Sequence, residues 1–422
     1  MTSPVMPTGT VAVVAETEMT PQPATDDGFA DEVEFTARVE RFLADHCSRI
    51  SDPADDESEA HGLVRTRAFQ RALVDAGLAG LTYPTQLGGA GLTPLHQEVF
   101  TRVSAGWRLP NGPLAISHGM CLPMLAQFGT EEQKARYLPD NISAETIWCQ
   151  MFSEPDAGSD LANVGMRADR DGDEWVLNGS KVWTSRGSYA RWGMCLARTD
   201  ASLAKHRGLT MFAVEMSAPG VEVRPLVQIN GDRHFTEVFV SDVRVPDADR
   251  IGDLGAGWGL TVETLAHERA TIGGRAFGGG DAEEVGLPSW LEEWRNAGRL
   301  DGPVERQAAM RSFVEHRVNQ MATARAAALA DGSAPGPEGS MAKLRSVAAF
   351  KSRAYLGKNL RGAAGMLSDS PGHLEFLTAP SMSIRGGTDE VQRNIVGERI
   401  LGLPGEPRVD KGVAYSELKK SR

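Results

Sequence analysis

The spacing of apolar residues changes twice along this chain, and that change is the strongest constraint on its fold. In residues 31–127 apolar side chains recur every three or four positions, which is the helical period. From about Thr146 they form short β-branched or aromatic runs divided by glycine turns, which are typical of strands. After Gly255 the helical period returns. The order predicts a helical region, a small all-β barrel or sandwich, and a second helical region.

Individual elements can be predicted from the same spacing. In the first helical region two core stripes are predicted, Phe35, Val39 and Phe42 followed by Phe69, Leu73 and Val74. The predicted strands are residues 174–177, 181–184, 193–197, 209–215, 221–223 and 237–240, with a hairpin turn at Asn178 and Gly179. The later predicted helices are residues 260–272, 304–329, 340–361 and 388–401. Thr130 and Gln133 have the spacing of a capping box.

Five segments follow from these elements. They are a disordered tail at 1–30, a helical domain at 31–147, a β domain at 148–249, a helical bundle at 250–404 and a polar surface tail at 405–422. The first thirty residues contain no Lys or Arg, so they indicate neither a secretory signal nor a transit peptide. No apolar run has the length of a membrane span. We therefore expect a cytoplasmic protein that does not bind membranes.

The charge and the cysteines exclude several functions. The 422 residues carry a formal net charge of -12, which argues against a general nucleic-acid binder because such a protein needs a basic face. A single anionic ligand such as CoA is still compatible, since a few local Arg and Lys suffice to hold it. The four cysteines, which are Cys47, Cys121, Cys149 and Cys195, lie far apart. Their spacing indicates free thiols rather than a disulfide framework or a metal site.

Residues 148–161 (WCQMFSEPDAGSDL) are the first candidate functional motif. They begin as a strand and end in a Gly-Ser-Asp turn. Successive backbone N–H groups and a hydroxyl in such a turn suit a phosphate or a flavin edge, although an ordinary β-turn has the same composition. Residues 178–185 (NGSKVWTS) are the second motif and place Trp183 on a strand. A tryptophan there is either a core residue or a surface for a cofactor.

Residues 384–404 (IRGGTDEVQRNIVGERILGLP) are the third motif. Gly386 and Gly387 precede Thr388, which suits the N-cap of an amphipathic helix. Asp389 and Glu390 suit the positive end of that helix. A well-capped terminal helix with no further role explains the same residues.

Together the three motifs resemble the acyl-CoA dehydrogenase superfamily, over nearly the whole chain up to Pro404. The EPDAGSD segment and the GGT-to-LGLP ending carry the resemblance. Residues 267–274 (HERATIGG) are similar to bacterial dehydrogenases of lipid, steroid-side-chain and specialised metabolism. The resemblance implies a mostly α, α+β fold, in which an N-terminal helical domain and a central small β-barrel precede a C-terminal four-helix bundle. It also implies FAD, bound between barrel and bundle.

The resemblance further implies roles for single residues. It places at FAD the residues Gln150, Phe152, Ser153, Gly158, Ser159, Trp183, Ser185, Thr388 and Glu390. Ser153 would lie near the flavin N5 edge and Trp183 against the isoalloxazine. Gly158 and Ser159 would approach the pyrophosphate and the CoA end. No metal site is implied.

The catalytic base requires a separate argument. Many family members carry a Glu directly before the Gly-Thr of the last motif, but that position is Gly386 here, which has no side chain to act as a base. The long-chain acyl-CoA dehydrogenases have the base on a bundle helix, before an Arg, and this pattern corresponds to Glu268 and Arg269. Desolvation in a dry cleft would raise the pKa of that carboxyl toward the working pH. The resemblance implies the Gly386 N–H as a donor to the thioester oxygen, and Arg269 and Gly387 as substrate contacts.

This chain departs from the family in two places. Residues 290–307 lack the family's Arg-x-x-Phe-Gly pattern, for which Arg295 and Arg299 are candidate substitutes, and a family Gln is replaced by Asn359 before the GAAG of residues 362–365. Both changes bear on FAD at a subunit interface. A homo-oligomer (dimer or tetramer) and a heterotetramer with a paralogue therefore both remain open.

Three functions remain open from the sequence. The first is α,β-dehydrogenation of an acyl-CoA, or of a carrier-bound acyl thioester, with electrons passed to an electron-transferring flavoprotein. The second is a flavin oxidase or monooxygenase on the same fold. The third is a non-catalytic subunit of a heteromeric dehydrogenase.

Overall fold

The computed structural model describes residues 26–49, 59–275, 287–329, 337–368, 370, 372–408 and 410–418. Side chains are described over the same ranges except at residues 26–30, 59–60, 268–275 and 326–329. Of the predicted tail at 1–30, residues 1–25 therefore lie outside the described residues. The first helix begins at Asp26, within the last five residues of the predicted tail.

The N-terminal part is helical, as predicted. Its helices are α1 (Asp26–His46), α2 (Glu59–Asp75), α3 (Pro94–Ser104), α4 (Leu122–Phe128) and α5 (Glu131–Ile142), with a small pair of strands, β1 (Ser48–Arg49) and β2 (Trp107–Arg108). Both predicted apolar stripes are buried except at Val74, whose side chain is 38% exposed. Val74 directly follows buried Leu73, and neighbouring residues on a helix point about 100° apart, so that prediction was wrong. The capping box at the start of α5 is confirmed, with Thr130 and Gln133 bonded to each other's backbone N–H groups.

The central part forms one sheet. Its strands are β3 (Trp148–Met151), β4 (Arg167–Asp171), β5 (Glu174–Ser185), β6 (Trp192–Arg198), β7 (Leu209–Glu215), β8 (Val221–Leu226), β9 (Phe235–Pro246) and β10 (Arg250–Ile251). The strand order is β10-β7-β6-β4-β5-β9-β8, and β3 pairs with β6 in parallel. β6 and β7 are buried over almost their whole length because apolar residues cover both faces of the sheet there.

The predicted hairpin turn at Asn178 and Gly179 was wrong. Both residues lie inside the continuous strand β5, where the pairing with β9 shifts register. Gly179 has φ +154°, and a Cβ there would lie 2.9 Å from the Met166 Cα. The glycine is therefore required for a bulge and a close backbone approach, which have the same sequence signature as a turn. Asn178 stabilises the bulge through two hydrogen bonds with Asp242, at 2.9 and 3.0 Å.

The C-terminal part is helical again. It contains α6 (Gly257–Arg275), α7 (Ser289–Asn296), α8 (Pro303–Leu329), α9 (Glu338–Leu360), α10 (His373–Thr378) and α11 (Asp389–Ile395), which continues as a π-helical turn (Val396–Ile400). The order of helices, sheet and helices is the fold class that the sequence predicts. None of the helices among the described residues is long and apolar enough to cross a membrane.

Residues 410–418 are held more firmly than predicted for a surface tail. Ala414 forms a β-bridge with Ala204, and Tyr415 is 6% exposed, with its ring over the Arg198 guanidinium at 3.5 Å. Lys205 pairs with both Asp160 and Asp410. A buried aromatic ring and a shared ion pair thus fix residues 410–418 on the sheet domain, beside the Gly-Ser-Asp turn.

Candidate active site

The first motif, residues 148–161, begins as strand β3 and reaches the edge of the core at the end of that strand. Gln150 is half-buried, Phe152 is buried at 4% exposure, and Ser153 is half-buried just beyond the strand. The Ser153 carbonyl accepts a hydrogen bond from Val182 N at 2.9 Å, so Ser153 lies beside β5 one residue before Trp183. The predicted strand at the start of this motif is confirmed.

The motif then turns sharply. Glu154 and Ala157 exchange two backbone hydrogen bonds of 3.0 Å. Gly158 and Ser159 are exposed, and a Cβ added to Gly158 would have no atom within 4 Å. The turn therefore presents accessible backbone to solvent, as a phosphate-binding turn requires. Its contact with FAD or CoA remains a prediction.

Trp183 is the most unusual residue of the region. Its side chain is 58% exposed, and its φ of +60° lies in the left-handed region, which is rare for a bulky residue. The register of β5 against β9 shifts between Lys181 and Thr184, so a bulge turns the indole out of the sheet. Three residues on, Arg186 also has a positive φ, of 65°. Backbone strain of this kind concentrates at functional sites.

The neighbours of Trp183 form a small surface. Phe235 meets the indole edge-on, with ring centroids 5.7 Å apart. Ser185 pairs with Phe235 in the strand ladder and is half-buried. We call Ser153, Trp183, Ser185 and Phe235 the Trp183 platform. Behind it, the buried Thr184 Oγ1 has no hydrogen-bond partner among the described residues.

The glycine pair of the third motif has a demanding backbone. Gly386 has φ +66° and Gly387 has φ +84°. A Cβ on Gly387 would lie 2.4 Å from the Gln392 Nε2, which donates to the Gly386 carbonyl at 3.1 Å. Thr388 then caps α11 by accepting from Val391 N at 3.2 Å, as predicted.

Acidic residues at the start of α11 behave as predicted for the positive end of a helix. Asp389 pairs with the buried Lys343 at 2.8 Å, while Glu390 is exposed and lies 3.4 Å from Arg393. Burial raises the pKa of Asp389, but hydrogen bonds from Lys343 and Ser383 outweigh this, so its pKa lies below its usual range.

A charged cluster beside the Trp183 platform was not predicted from the sequence. Arg385 directly precedes Gly386, and its guanidinium donates to the Met382 sulfur at 2.7 and 3.1 Å. Burial lowers the pKa of Arg385, and the nearby Asp232 opposes that shift. Asp232 pairs with His234 at 2.6 Å, and the His234 ring packs on that of Phe235. Arg385 of the third motif therefore lies near Asp232, whose partner His234 packs beside the platform. In the sequence, this cluster could have been suspected only from Arg385, a charged residue directly before the glycine pair.

Helix α6 carries the predicted base. The backbone of Glu268 and Arg269 is helical, but their side chains lie outside the described residues. Thr261 and Thr264 are fully buried and donate to carbonyls one turn earlier, at 2.7 Å each. Glu268 lies four and seven positions later, on the same face of the helix. The assignment of the base remains a prediction.

The two candidate substitutes for the missing family arginine differ in their surroundings. Arg295 is exposed on α7. Arg299 donates to the Leu360 carbonyl at 3.0 Å, so it caps the end of α9 in this chain. Neither is shown to reach a cofactor.

The described residues contain no group of three His, Cys, Asp or Glu side chains able to hold a metal. All four cysteines are free, and burial raises the pKa of Cys47 and Cys195 to about 11 each. A cleft of about 580 Å³ lies between α5 and β6, with Arg136, Tyr137 and Trp192 among its walls. None of the predicted site residues lines it, so we assign it no role.

Comparison with known proteins identifies the family. The family models described as acyl-CoA dehydrogenase N-terminal domain, middle domain and C-terminal domain match residues 30–145, 149–243 and 255–401. Acyl-CoA dehydrogenase IpdE1 of Mycobacterium tuberculosis is 35% identical over 392 residues, which cover 90% of this chain and 99% of IpdE1. IpdE1 of Mycolicibacterium smegmatis is 32% identical and covers 88% of this chain and 98% of its own.

Solved structures have the same fold. A steroid acyl-CoA dehydrogenase named Tcur3481-Tcur3483 superposes with a TM-score of 0.73 at 27% identity, covering 89% of this chain and 98% of its own. The ChsE4-ChsE5 complex from Mycobacterium tuberculosis gives a TM-score of 0.70 at 27% identity, covering 92% and 100%. With three family models, full-length relatives and the fold in agreement, this chain belongs to the acyl-CoA dehydrogenase family of flavoprotein oxidoreductases.

Proposed function

We propose that this chain binds FAD and catalyses α,β-dehydrogenation of an acyl-CoA thioester to the trans-2-enoyl-CoA, with Glu268 as the base. One observation supports this most strongly, which is the exposed, strained Trp183 beside Ser153 in a chain of this family. The open face of an indole held out of a sheet is suited to stacking against a planar ring system.

The residues present fit a flavin. The Trp183 platform offers an aromatic face, and Ser153 and Ser185 offer half-buried hydroxyls at its border. Directly behind the platform, the buried Thr184 Oγ1 has no hydrogen-bond partner among the described residues. In this proposal Gln150 and Phe152 line the ring, Gly158 and Ser159 lie toward the pyrophosphate and the CoA end, and Thr388 and Glu390 contact FAD of the same or a neighbouring subunit. When bound, FAD would accept the β-hydrogen together with its two bonding electrons, that is, as hydride.

The protein supplies the acid–base chemistry. A thioester α-proton is weakly acidic, so its removal needs a positioned base and a polarised carbonyl. Glu268 would remove that proton, while the Gly386 N–H would donate to the thioester oxygen. Arg269 and Gly387 would contact the substrate. The buried threonines Thr261 and Thr264 on the same face of α6 support a Glu268 position in a protected cleft, where its pKa would rise.

The names of the relatives direct the choice of substrates. Tcur3481-Tcur3483 is a steroid acyl-CoA dehydrogenase by name, at 27% identity. We therefore propose a bulky, steroid-type acyl thioester as the first substrate class to examine. Straight-chain acyl-CoAs and carrier-bound acyl groups are the alternatives.

We also propose that the chain works as an oligomer and passes electrons to an electron-transferring flavoprotein. Several apolar residues are exposed along one side of α8, namely Met310, Val314, Val318 and Met321. Their spacing of three or four residues makes a continuous apolar stripe. Exposed apolar surface of this kind is typical of a contact with another subunit. The ChsE4-ChsE5 protein is a complex of two components. A paralogous subunit is therefore an alternative to a second copy of this chain, and the mass of the purified assembly separates the two.

The function is tested by purifying the chain, identifying any flavin it releases, and adding acyl-CoAs without oxygen. Bleaching of the long-wavelength flavin band by one member of the panel supports the proposal. A flavin that substrate bleaches but that oxygen then reoxidises rapidly indicates the oxidase. A flavin that no substrate bleaches, in a protein that consumes oxygen only when a reductant is added, indicates the monooxygenase. A colourless protein that becomes yellow and active only with a paralogue indicates a heteromeric dehydrogenase in which this chain is the non-catalytic subunit.

A further inference from the structure

Lys181 is a fully buried cation directly behind the Trp183 platform. Its side chain is 0% exposed. The ammonium donates to the Phe152 carbonyl at 3.0 Å, to the Leu196 carbonyl at 2.7 Å and to the Glu154 carboxylate at 2.8 Å. All three protons of the ammonium are therefore used, and they join the end of β3 to β5 and β6.

The partner carboxylate is tied down in turn. Glu154 Oε1 also accepts from Met166 N at 2.9 Å, and Oε2 accepts from Gly165 N at 2.7 Å. Its side chain is 11% exposed. The ion pair thus connects the EPDAGSD turn with the segment that leads into β4.

Stability alone does not account for such a pair. Removing two charges from water is costly, and apolar residues of the same volume often stabilise a protein equally well or better. Apolar residues, however, cannot donate hydrogen bonds to the two backbone carbonyls that the Lys181 ammonium holds together. A fully satisfied buried polar group fixes one arrangement of the segments around it.

The segments fixed in this way are those that form the platform. Phe152 directly precedes Ser153, and the Ser153 carbonyl accepts from Val182 N at 2.9 Å. Lys181 itself stands at the start of the bulge that turns Trp183 outward. The Lys181 ammonium therefore fixes two things. It holds the backbone directly before Ser153, and it lies where the pairing of β5 with β9 shifts register.

We infer that Lys181 is a positioning residue for the flavin site, acting through the Phe152 carbonyl and the bulge before Trp183. This inference rests on the proposed function, because it takes FAD as the ligand of the Trp183 platform. Lys181 does not itself touch the ligand. Its effect is to hold Ser153 and Trp183 in the relative position that binds the ring.

The test compares three variants of the full chain. Lys181→Met removes the ammonium at nearly constant length, and Lys181→Met/Glu154→Gln also removes the carboxylate that the first change leaves unpaired. Asp249→Asn is the matched control, because Asp249 is another buried carboxylate in an ion pair, with Arg136 at 2.8 Å, away from the platform. For each protein we would measure the Kd for FAD after flavin removal, the fluorescence of the bound flavin, and the urea midpoint of the flavin-free protein.

The inference predicts a separation of binding from stability. Lys181→Met should weaken FAD binding by about tenfold or more, and the bound flavin should be brighter because Trp183 stacks on it less closely. The double variant should regain most of the lost urea midpoint but not the affinity. Asp249→Asn should lower the urea midpoint and leave both flavin measurements unchanged.

Two results would overturn the inference. One is a Lys181→Met protein with the wild-type Kd and flavin fluorescence, and the other is a double variant that regains affinity together with stability. If Lys181→Met does not fold, the double variant is compared with the wild type directly: a Kd for FAD near the wild-type value overturns the inference, and a Kd raised about tenfold or more supports it. A wild-type chain that binds no FAD, alone or with a paralogue, rejects the proposed function first and this inference with it.

Discussion

The indole of Trp183 and the ring of Phe235 meet edge-to-face, with their planes at 84° and their centroids 5.7 Å apart. This contact supports one edge of the indole and leaves its face open, so the side chain remains 58% exposed. The same residue has φ +60°, which costs a bulky side chain about 1–2 kcal/mol. An exposed ring in a strained backbone is retained at a functional site rather than in a packed core.

Replacing Trp183 with glycine should therefore make the protein more stable and less functional. We expect Trp183→Gly to raise the free energy of unfolding of the flavin-free protein by up to about 1 kcal/mol, because the strain that glycine relieves at a positive φ exceeds the extra backbone entropy that it loses on folding. FAD affinity should fall at least about tenfold, because the stacking face is lost. Urea unfolding and FAD titration measure the two effects. Trp183→Leu is the control, since it loses the ring but keeps the strain, and a stability gain in that variant too would refute the strain argument.

Any side chain at Gly386 should destabilise the protein, whatever its chemistry. Its φ is +66°, so Gly386→Ala should lower the free energy of unfolding by about 1 kcal/mol. Gly397→Ala is the matched control, because its nearest atom to an added Cβ is Leu403 Cδ1 at an ordinary 3.6 Å. Thermal or urea unfolding of both variants provides the measurement. Equal stability of the two would contradict the backbone assignment at Gly386.

Asp247 should contribute stability that depends on pH. Hydrogen bonds from Arg250 and Trp175 hold the pKa of this carboxyl down at about 2, against about 3.9 in an unfolded chain. A lowered pKa in the folded state stabilises the protein above the unfolded value, and the effect is lost as the pH falls toward 2. Asp247→Asn should thus cost about 1 kcal/mol at pH 7, and its difference from wild type should shrink between pH 4 and pH 2.

Urea unfolding of wild type and variant across that pH range tests this linkage. Asp45→Asn, which changes an exposed aspartate on α1, is the control for a general loss of charge. A difference that stays constant from pH 7 to pH 2 would show that Asp247 acts through packing and not through its charge.

The docked C-terminal segment should stabilise the sheet domain. Tyr415 is 6% exposed and covers the guanidinium of Arg198, which itself donates to the Ala162 and Val164 carbonyls after the Gly-Ser-Asp turn. Tyr415→Ala should lower the free energy of unfolding by about 3 kcal/mol, because it opens a cavity and removes the aromatic ring that contacts the Arg198 guanidinium. Tyr415→Phe should cost far less, since it keeps the ring. If both variants match wild type, residues 410–418 do not pack against the sheet in solution.

Sequence reasoning succeeded where local pattern decides the structure. The capping box of Thr130 and Gln133, the Thr388 cap and the Gly-Ser-Asp turn all depend on neighbours within a few residues. It failed at Asn178 and Gly179 because a bulge and a hairpin turn share the same residues, and only the approach of Met166 separates them.

Long-range pairs were beyond the reach of a single sequence. Nothing near Lys181 indicates that its ammonium meets Phe152, Leu196 and Glu154, or that the tail reaches Arg198. Such contacts join segments whose separation in sequence gives no periodic signal. The exposure of Trp183 likewise depends on a register shift between β5 and β9, and the residues around Trp183 give no sequence signal for that shift.

In the proposed reaction Glu268 removes the α-proton, and the β-hydrogen leaves as hydride to the flavin. The most direct test is anaerobic bleaching of the flavin band by acyl-CoAs, steroid-type ones included, for wild type and Glu268→Gln. We predict that the wild type bleaches with at least one substrate, whereas the variant binds FAD and that substrate but stays yellow. A variant that bleaches as fast as wild type would show that Glu268 is not the base.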